Sequence, residues 1–240
     1  MRDLAADRAD DARIFRQALT LDPYDDEQKV EAATSAAMGL VGGILQVFRL
    51  DVSDLVHTDK LLKAFNPPYG ARVLDAGCGV GAPASFMHSL RQDLNFTLLN
   101  ISLHQLDLCP DGFEKLHASA HDIPAPDGSF DAVMALYSIG HLLPQRMMQE
   151  FSRVLRPGGV LFIWDVASIN GENLFVETLG YRPHVPARLF DEAKASGLCL
   201  PVIATPTGDP RIFNSFLGER SEEIMGDVYP IWYRFVKDVA

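Results

Sequence analysis

Cysteine is scarce in this 240-residue chain: Cys78, Cys109 and Cys199 are its three, and no C-x-x-C pair occurs. That spacing excludes the usual zinc and dithiol motifs, and free thiols suit a reducing compartment, so a cytoplasmic protein is expected. No metal site is expected either, because His57, His88, His104 and His184 do not fall at a ligand spacing. Positive charge is also short, with 21 Lys and Arg against 32 Asp and Glu and a formal net charge of −11. An acidic surface lacks the basic footprint that nucleic acid or an anionic membrane requires. Long hydrophobic runs are missing too. The most apolar stretch, Ala36 to Leu45, is well short of the ~18 residues of a membrane span. The start, Met1-Arg2-Asp3-Leu4, carries charge where a secretory signal needs an apolar core. There is no internal repeat and no low-complexity segment. What remains is a compact domain for which an anionic small-molecule substrate and a homodimer stay open.

What the chain does have is concentrated in Val73-Leu74-Asp75-Ala76-Gly77-Cys78-Gly79-Val80-Gly81. A β-compatible run ends in an acid, and glycines alternate behind it. Such a loop turns sharply and admits a ligand close to the backbone. It feeds a helix start at Pro83–Leu90, where N–H groups are free to point outward. Strand, glycine loop and helix start form the ligand corner of a doubly wound sheet. The dinucleotide pattern G-x-G-x-x-G/A is met only loosely by Gly77, Gly79 and Ala82.

The D-x-G-x-G-x-G spacing from Asp75 to Gly81 fits better, and it resembles motif I of the class I S-adenosylmethionine-dependent methyltransferases. The resemblance extends over residues 71–166. Phe96–Ser102 resembles the second strand, with Asn100 where the family often carries a ribose-binding acid, and Ser102 caps a helix through Gln105 and Leu108. Lys115–Pro124 resembles the third strand and adenine loop, with Ser119 at the place of an acid and the backbone of Ala120 and His121 along the adenine edge. Phe130–Ser138 resembles the fourth strand. A helix near Gln145–Leu155 then leads to the turn Arg156-Pro157-Gly158-Gly159 and the strand Val160–Asp165. Leu200–Thr205 and Tyr229–Val236 resemble the last, antiparallel strands, and Val185–Ser196 and Ile212–Met225 read as helices.

The resemblance implies an α/β fold: a doubly wound, Rossmann-like, seven-stranded sheet with an antiparallel last strand, plus an N-terminal helical cap over residues 1–68. Residues 69–240 would form the methyltransferase core, with substrate-shaping insertions near 168–186 and 207–227. The implied cofactor is S-adenosyl-L-methionine, with S-adenosyl-L-homocysteine as product. It would be held by Asp75, Gly77, Cys78, Gly79, Gly81, Asn100, Ile101, Gln105, Ser119, Ala120, His121 and Leu136. His141 after the fourth strand and Asp165 at the end of the fifth are the catalytic candidates: a base and its orienting acid. Tyr137, Tyr181 and Arg182 are substrate-binding candidates. O-methylation of a small molecule is the leading expectation. C-methylation of an anionic or isoprenyl diphosphate acceptor is its alternative, because Tyr181, Arg182, His184, Arg188 and Arg211 could form a cationic wall. A non-catalytic cofactor-binding module is a third reading, since both the ribose acid and the adenine acid are replaced.

Overall fold

The computed structural model describes residues 59, 61–169, 182–204 and 227–239. Most of the expected cap and most of both expected insertions, including Tyr181, Arg211 and the 212–225 helix, lie outside the described residues. Within them, seven strands form one sheet in the order β3-β2-β1-β4-β5-β7-β6. They are β1 (Arg72–Ala76), β2 (Asn95–Asn100), β3 (Glu114–His117), β4 (Phe130–Leu136), β5 (Leu155–Ala167), β6 (Leu198–Ala204) and β7 (Tyr229–Lys237). Strands β1 to β5 pair in parallel, and β7 runs antiparallel to both β5 and β6. This is the expected doubly wound sheet with its antiparallel last strand.

Both faces of the sheet are covered, and the sequence shows it: the strands read as nearly continuous apolar runs, as parallel strands buried on two sides must. One face packs helix α1 (Ala82–Leu90), helix α2 (Leu103–Leu108) and the helical residues 61–65 against Val73, Leu98, Met134 and Phe162. Phe65 stacks on Phe162 with ring centroids 5.4 Å apart. The other face packs helix α3 (Pro144–Val154) and helix α4 (Pro186–Ala195) against Leu74, Val133, Leu161 and Tyr233. In α3 the buried residues Met147, Met148, Phe151 and Val154 recur at three and four residues, which is the helical apolar stripe. The chain enters both α1 and α3 through a proline in the first turn, where its missing N–H costs nothing.

One boundary differs from expectation. Arg156–Gly159 is not a turn outside the strand but a distorted stretch inside β5. Phe130 pairs with Leu155 and Ala132 with Val160, so extra residues are absorbed between the two registers. Gly158 takes a positive φ of 72° to allow this, and such a bulge keeps the ladder on both sides of itself.

The chain order reverses direction between β1 and β4. From there β2 and β3 extend one way and β5 the other. A crevice at the carboxyl ends of such strands is where a doubly wound sheet accepts ligands. Asp75, Asn100, Leu136 and Asp165 lie at or near the carboxyl ends of β1, β2, β4 and β5, on that edge.

Candidate functional site

The loop after β1 is shaped by close packing. Gly77 sits at φ +82°, and a Cβ there would fall 2.5 Å from Cβ of Ser138, so only glycine lets the turn after β4 close over it. At Gly79 (φ +57°) the space a Cβ would enter is open. The amides of Gly77 and Cys78 both donate to the carbonyl of Leu99, at 2.9 and 3.1 Å, which moors the loop to β2.

Asp75 stands at the head of this loop and is 1% exposed. Its Oδ2 is fully buried with no hydrogen-bond partner among the described residues. Burial pushes its pKa up to about 8, and the neighbouring Cys109 pushes the same way. A buried carboxylate without donors is costly unless something arrives to meet it. An ammonium or a bound water would do so.

Asp165 is equally buried, at 0% exposed, but fully engaged. Its Oδ2 accepts from the amides of Ser138 and Ile139, both at 3.0 Å, and its Oδ1 from the amide of Val166 at 2.7 Å. Those bonds hold the turn that follows β4. Tyr137 there has a left-handed φ of +49°, unusual for a side-chain-bearing residue. Its amide donates to Trp164 O at 2.8 Å, and the Ser138 hydroxyl donates to Ala76 O at 2.8 Å. The carboxyl end of β4 is thereby clamped to the ends of both β5 and β1. Sequence reasoning missed Ser138; the available signal was a small residue directly behind the fourth strand, facing a glycine loop.

His141 closes the 3₁₀ turn Ile139–His141. His141 is half-buried, and that burial pulls its pKa down to about 4. An orienting carboxylate would push the other way. Tyr137 is partly buried as well: burial, and then the charge of Asp165, raise its pKa, so its hydroxyl stays protonated. The backbone N–H of Arg182 donates to Gly140 O at 3.2 Å, which brings Arg182 to the same turn. Leu136 ends β4 and packs in the core face shared with Trp232.

The remaining candidates are drawn together on the far side of the loop. Asn100 is buried, and its side chain is largely occupied by protein. Nδ2 donates to Gly79 O at 3.1 Å and to Gln105 Oε1 at 2.7 Å, while Oδ1 accepts from Ser102 N at 3.2 Å. It ties the glycine loop to α2. Ser102 caps that helix as expected, its hydroxyl accepting from Gln105 N. Ile101 O meets Nε2 of His117 at 3.0 Å. The Ser119 hydroxyl accepts from His121 N at 3.1 Å, a local turn that also holds Ala120 in the interior. His121 Nε2 accepts from Leu143 N at 2.7 Å, so the adenine-loop candidate is bonded to the segment after His141.

A second support escaped sequence reasoning. Arg153 on α3 donates to Ile123 O, Ala125 O and Asp127, and pairs with Glu150, whose Oε2 accepts from Ile123 N at 2.8 Å. The loop 123–127 is thus fixed from beneath. Glu150 and Arg153 at i, i+3 on the polar side of an amphipathic helix were the visible signal.

Comparison with known proteins gives a consistent result. Residues 74–163 match the family model described as a methyltransferase domain. The chain is 38% identical over 119 residues to the 27-O-demethylrifamycin SV methyltransferase of Amycolatopsis mediterranei, covering 45% of this chain and 43% of that protein. The chain therefore spans less than half the length of that relative. Among solved structures, the geranyl diphosphate C-methyltransferase of Streptomyces coelicolor, in complex with Mg²⁺, geranyl diphosphate and S-adenosyl-L-homocysteine, is 15% identical. It has a TM-score of 0.69 over 93% of this chain and 88% of its own. The phosphoethanolamine N-methyltransferase 2 of Haemonchus contortus, in complex with phosphomonomethylethanolamine and S-adenosylhomocysteine, is 18% identical, with a TM-score of 0.69 over 93% of this chain and 60% of its own. At such identities these likenesses establish the fold. The sequence match, the seven-stranded order and the glycine loop at the β1/β4 reversal agree: residues 74–163 are a methyltransferase domain of the class I S-adenosylmethionine-dependent family.

Proposed function

We propose that the chain transfers a methyl group from S-adenosylmethionine to a small-molecule acceptor, with the reaction placed at the carboxyl ends of β1, β4 and β5. The observation that carries this reading is Asp75: a fully buried carboxylate with an unpartnered oxygen, at the head of a glycine loop with open space at Gly79. These residues fit a cationic amino-acid end. Asp75 would meet the ammonium, the glycine loop would lie under the methionine part, and the backbone of Ala120 and His121 would border the adenine. The cofactor, when bound, supplies the activated methyl carbon. The protein's task is to align the acceptor in line with it and to keep water out.

For the acceptor, C-methylation of an anionic small molecule, such as an isoprenyl diphosphate, is better supported than O-methylation with His141 as base. A general base works best with a pKa near the working pH, and His141 is held near 4. Asp165 is engaged by three amides of the surrounding turns. Meanwhile the backbone hydrogen bond from Arg182 N to Gly140 O anchors a basic residue to the turn that carries His141. Both solved structures compared above hold phosphate-bearing acceptors. In this reading Tyr137 and Arg182 shape the acceptor side, and His141 serves the turn.

Two measurements test the proposal. Calorimetric titration with S-adenosylhomocysteine, with NAD as control, should give micromolar binding to the first and none to the second; no binding to either rejects the cofactor site. Radiolabelled methyl transfer should then be assayed against isoprenyl diphosphates, hydroxylated aromatics and fatty acids. Label in the diphosphates supports the C-methylation reading, and label only in hydroxyl acceptors restores O-methylation. Binding without transfer to any class would make the domain a non-catalytic cofactor-binding module.

A further inference from the structure

Two of the three cysteines meet at the glycine loop, although they stand far apart in sequence. Cys78 is the middle of the loop, and Cys109 follows α2 as its C-terminal cap. Both are buried, at 6% and 4% exposed. Their thiols converge on one carbonyl: Cys78 Sγ and Cys109 Sγ each lie 3.5 Å from Gly79 O. The Cys109 sulfur also presses on the next glycine, since a Cβ on Gly81 would fall 3.3 Å from it. The Lys115 ammonium donates to Cys109 O at 2.8 Å, which sets a positive charge beside this thiol. The neighbouring Cys78 thiol first, and then Lys115, lower the pKa of Cys109, while the neighbouring Cys109 and burial raise that of Cys78. The pair is therefore asymmetric in the sense that suits stepwise oxidation: Cys109 is shifted toward the thiolate and Cys78 toward the thiol. Cys199 is exposed and remote on β6, bonded to Asp238.

We infer that Cys78 and Cys109 form an oxidation site whose disulfide closes the cofactor loop. With hydrogen peroxide as oxidant, the Cys109 thiolate attacks one peroxide oxygen. The O–O bond breaks, and the departing hydroxide takes up a proton to leave as water. The resulting sulfenic acid is attacked by the Cys78 sulfur, which loses its proton as the S–S bond forms and a second water leaves. Two thiols are oxidised by two electrons, and one peroxide is reduced to two waters. The bond would pull both sulfurs from Gly79 O and displace Gly79 and Gly81 from the positions that shape the loop. The consequence for the cofactor rests on the function proposed above; the chemistry of the thiol pair does not.

The test uses the full chain carrying Cys199→Ser, so that the exposed thiol cannot cross-link molecules. The protein is treated with hydrogen peroxide, then analysed by iodoacetamide labelling with peptide mass mapping and by titration with S-adenosylhomocysteine. The expected result is a Cys78–Cys109 linked peptide, loss of both alkylation sites, and at least tenfold weaker S-adenosylhomocysteine binding that dithiothreitol restores. Cys109→Ser in the same background should lose this response to peroxide, whatever its affinity when reduced. Retention of both alkylatable thiols overturns the oxidation site. A formed disulfide with unchanged affinity overturns its effect on the loop. Failure of the reduced protein to bind S-adenosylhomocysteine rejects the proposed function instead, and the linked peptide then decides the thiol chemistry alone.

Discussion

Asp75 and Asp165 end neighbouring parts of one sheet edge and are almost equally hidden from solvent, yet they are built oppositely. Asp165 collects three backbone amides, and nothing further is required to satisfy it. Asp75 carries an oxygen with no donor among the described residues, and its pKa is pushed up to about 8. Burial alone would have marked both as functional. The donors separate them. A carboxylate surrounded by amides holds its own fold, whereas one denied donors has its partner missing. The first clamps the left-handed turn at Tyr137 that closes over Gly77; the second faces the loop so closed. In the proposed reading Asp165 is the structural acid, Asp75 is the ligand acid, and His141 serves the turn that Asp165 holds.

The largest effect should come from breaking the structural acid. Asp165→Ala leaves three amides without their acceptor, and breaking a buried charged network of this kind costs about 3–5 kcal/mol. That is a large share of a domain's typical stability of roughly 5–15 kcal/mol. Urea denaturation should show the loss, with partial recovery in Asp165→Asn, whose single carbonyl oxygen can serve only part of the set. An unchanged midpoint would mean that the turn is held by other contacts. The next effect belongs to the ligand acid. Asp75→Ala should weaken S-adenosylhomocysteine binding roughly 100-fold, the scale of one charged hydrogen bond, without lowering the melting temperature of the unliganded protein. A fall in stability in place of affinity would reverse the assignment of the two acids.

The same contrast explains what was legible in the sequence. The strands, the glycine loop and the cap at Ser102 were readable because each depends on local rules: apolar runs, glycine at positive φ, a hydroxyl before a helix; the doubly wound sheet with its antiparallel last strand followed from the resemblance. The proximity of Asp75, His141 and Asp165 to one edge followed from topology. What each carboxylate touches did not follow. The amides of Ser138 and Ile139 reach Asp165 across 26 or 27 residues of chain, and no spacing rule anticipates such a bond. Asn100 illustrates the same gap. Its place at the end of β2 was expected, but its amide is spent on Gly79 and Gln105 within the protein. The bulge at Arg156–Gly159 was hidden because a Pro-Gly-Gly run reads as a turn until the strand partner is known.

A smaller effect is the pH dependence of binding to the ligand acid. An ammonium is met by the ionised form of Asp75, and the unliganded group is protonated below about 8. Affinity for S-adenosylhomocysteine should therefore climb as pH rises toward 8, by up to about tenfold per unit for one released proton, and level off above it. Calorimetry in buffers of different ionisation enthalpy should detect the proton. In Asp75→Asn the climb should vanish; a climb that persists would place the titrating group elsewhere.

The smallest effect is assigned to His141, and it sharpens which acid this residue accompanies. As the base of an O-methyl transfer, its replacement by Gln would slow turnover by roughly 10²–10⁴-fold. As a half-buried neutral residue of the clamped turn, His141→Gln should change kcat by less than about tenfold on the substrate identified by the acceptor screen. It should instead alter acid stability. The folded pKa of about 4 lies below the ordinary 6.5, so the unfolded chain binds the proton more readily. The contribution to stability is present above pH 6.5 and is lost as pH falls toward 4, with a slope approaching about 1.4 kcal/mol per unit for one proton. His184 is depressed to about 4 by burial as well, so the wild type carries two such slopes. His141→Gln should remove one of them and leave the other. Denaturation midpoints taken between pH 6.5 and 4.5 would show a shallower decline in the variant. A decline as steep as that of the wild type, together with a kcat loss above 100-fold, would move His141 from the clamp to the chemistry.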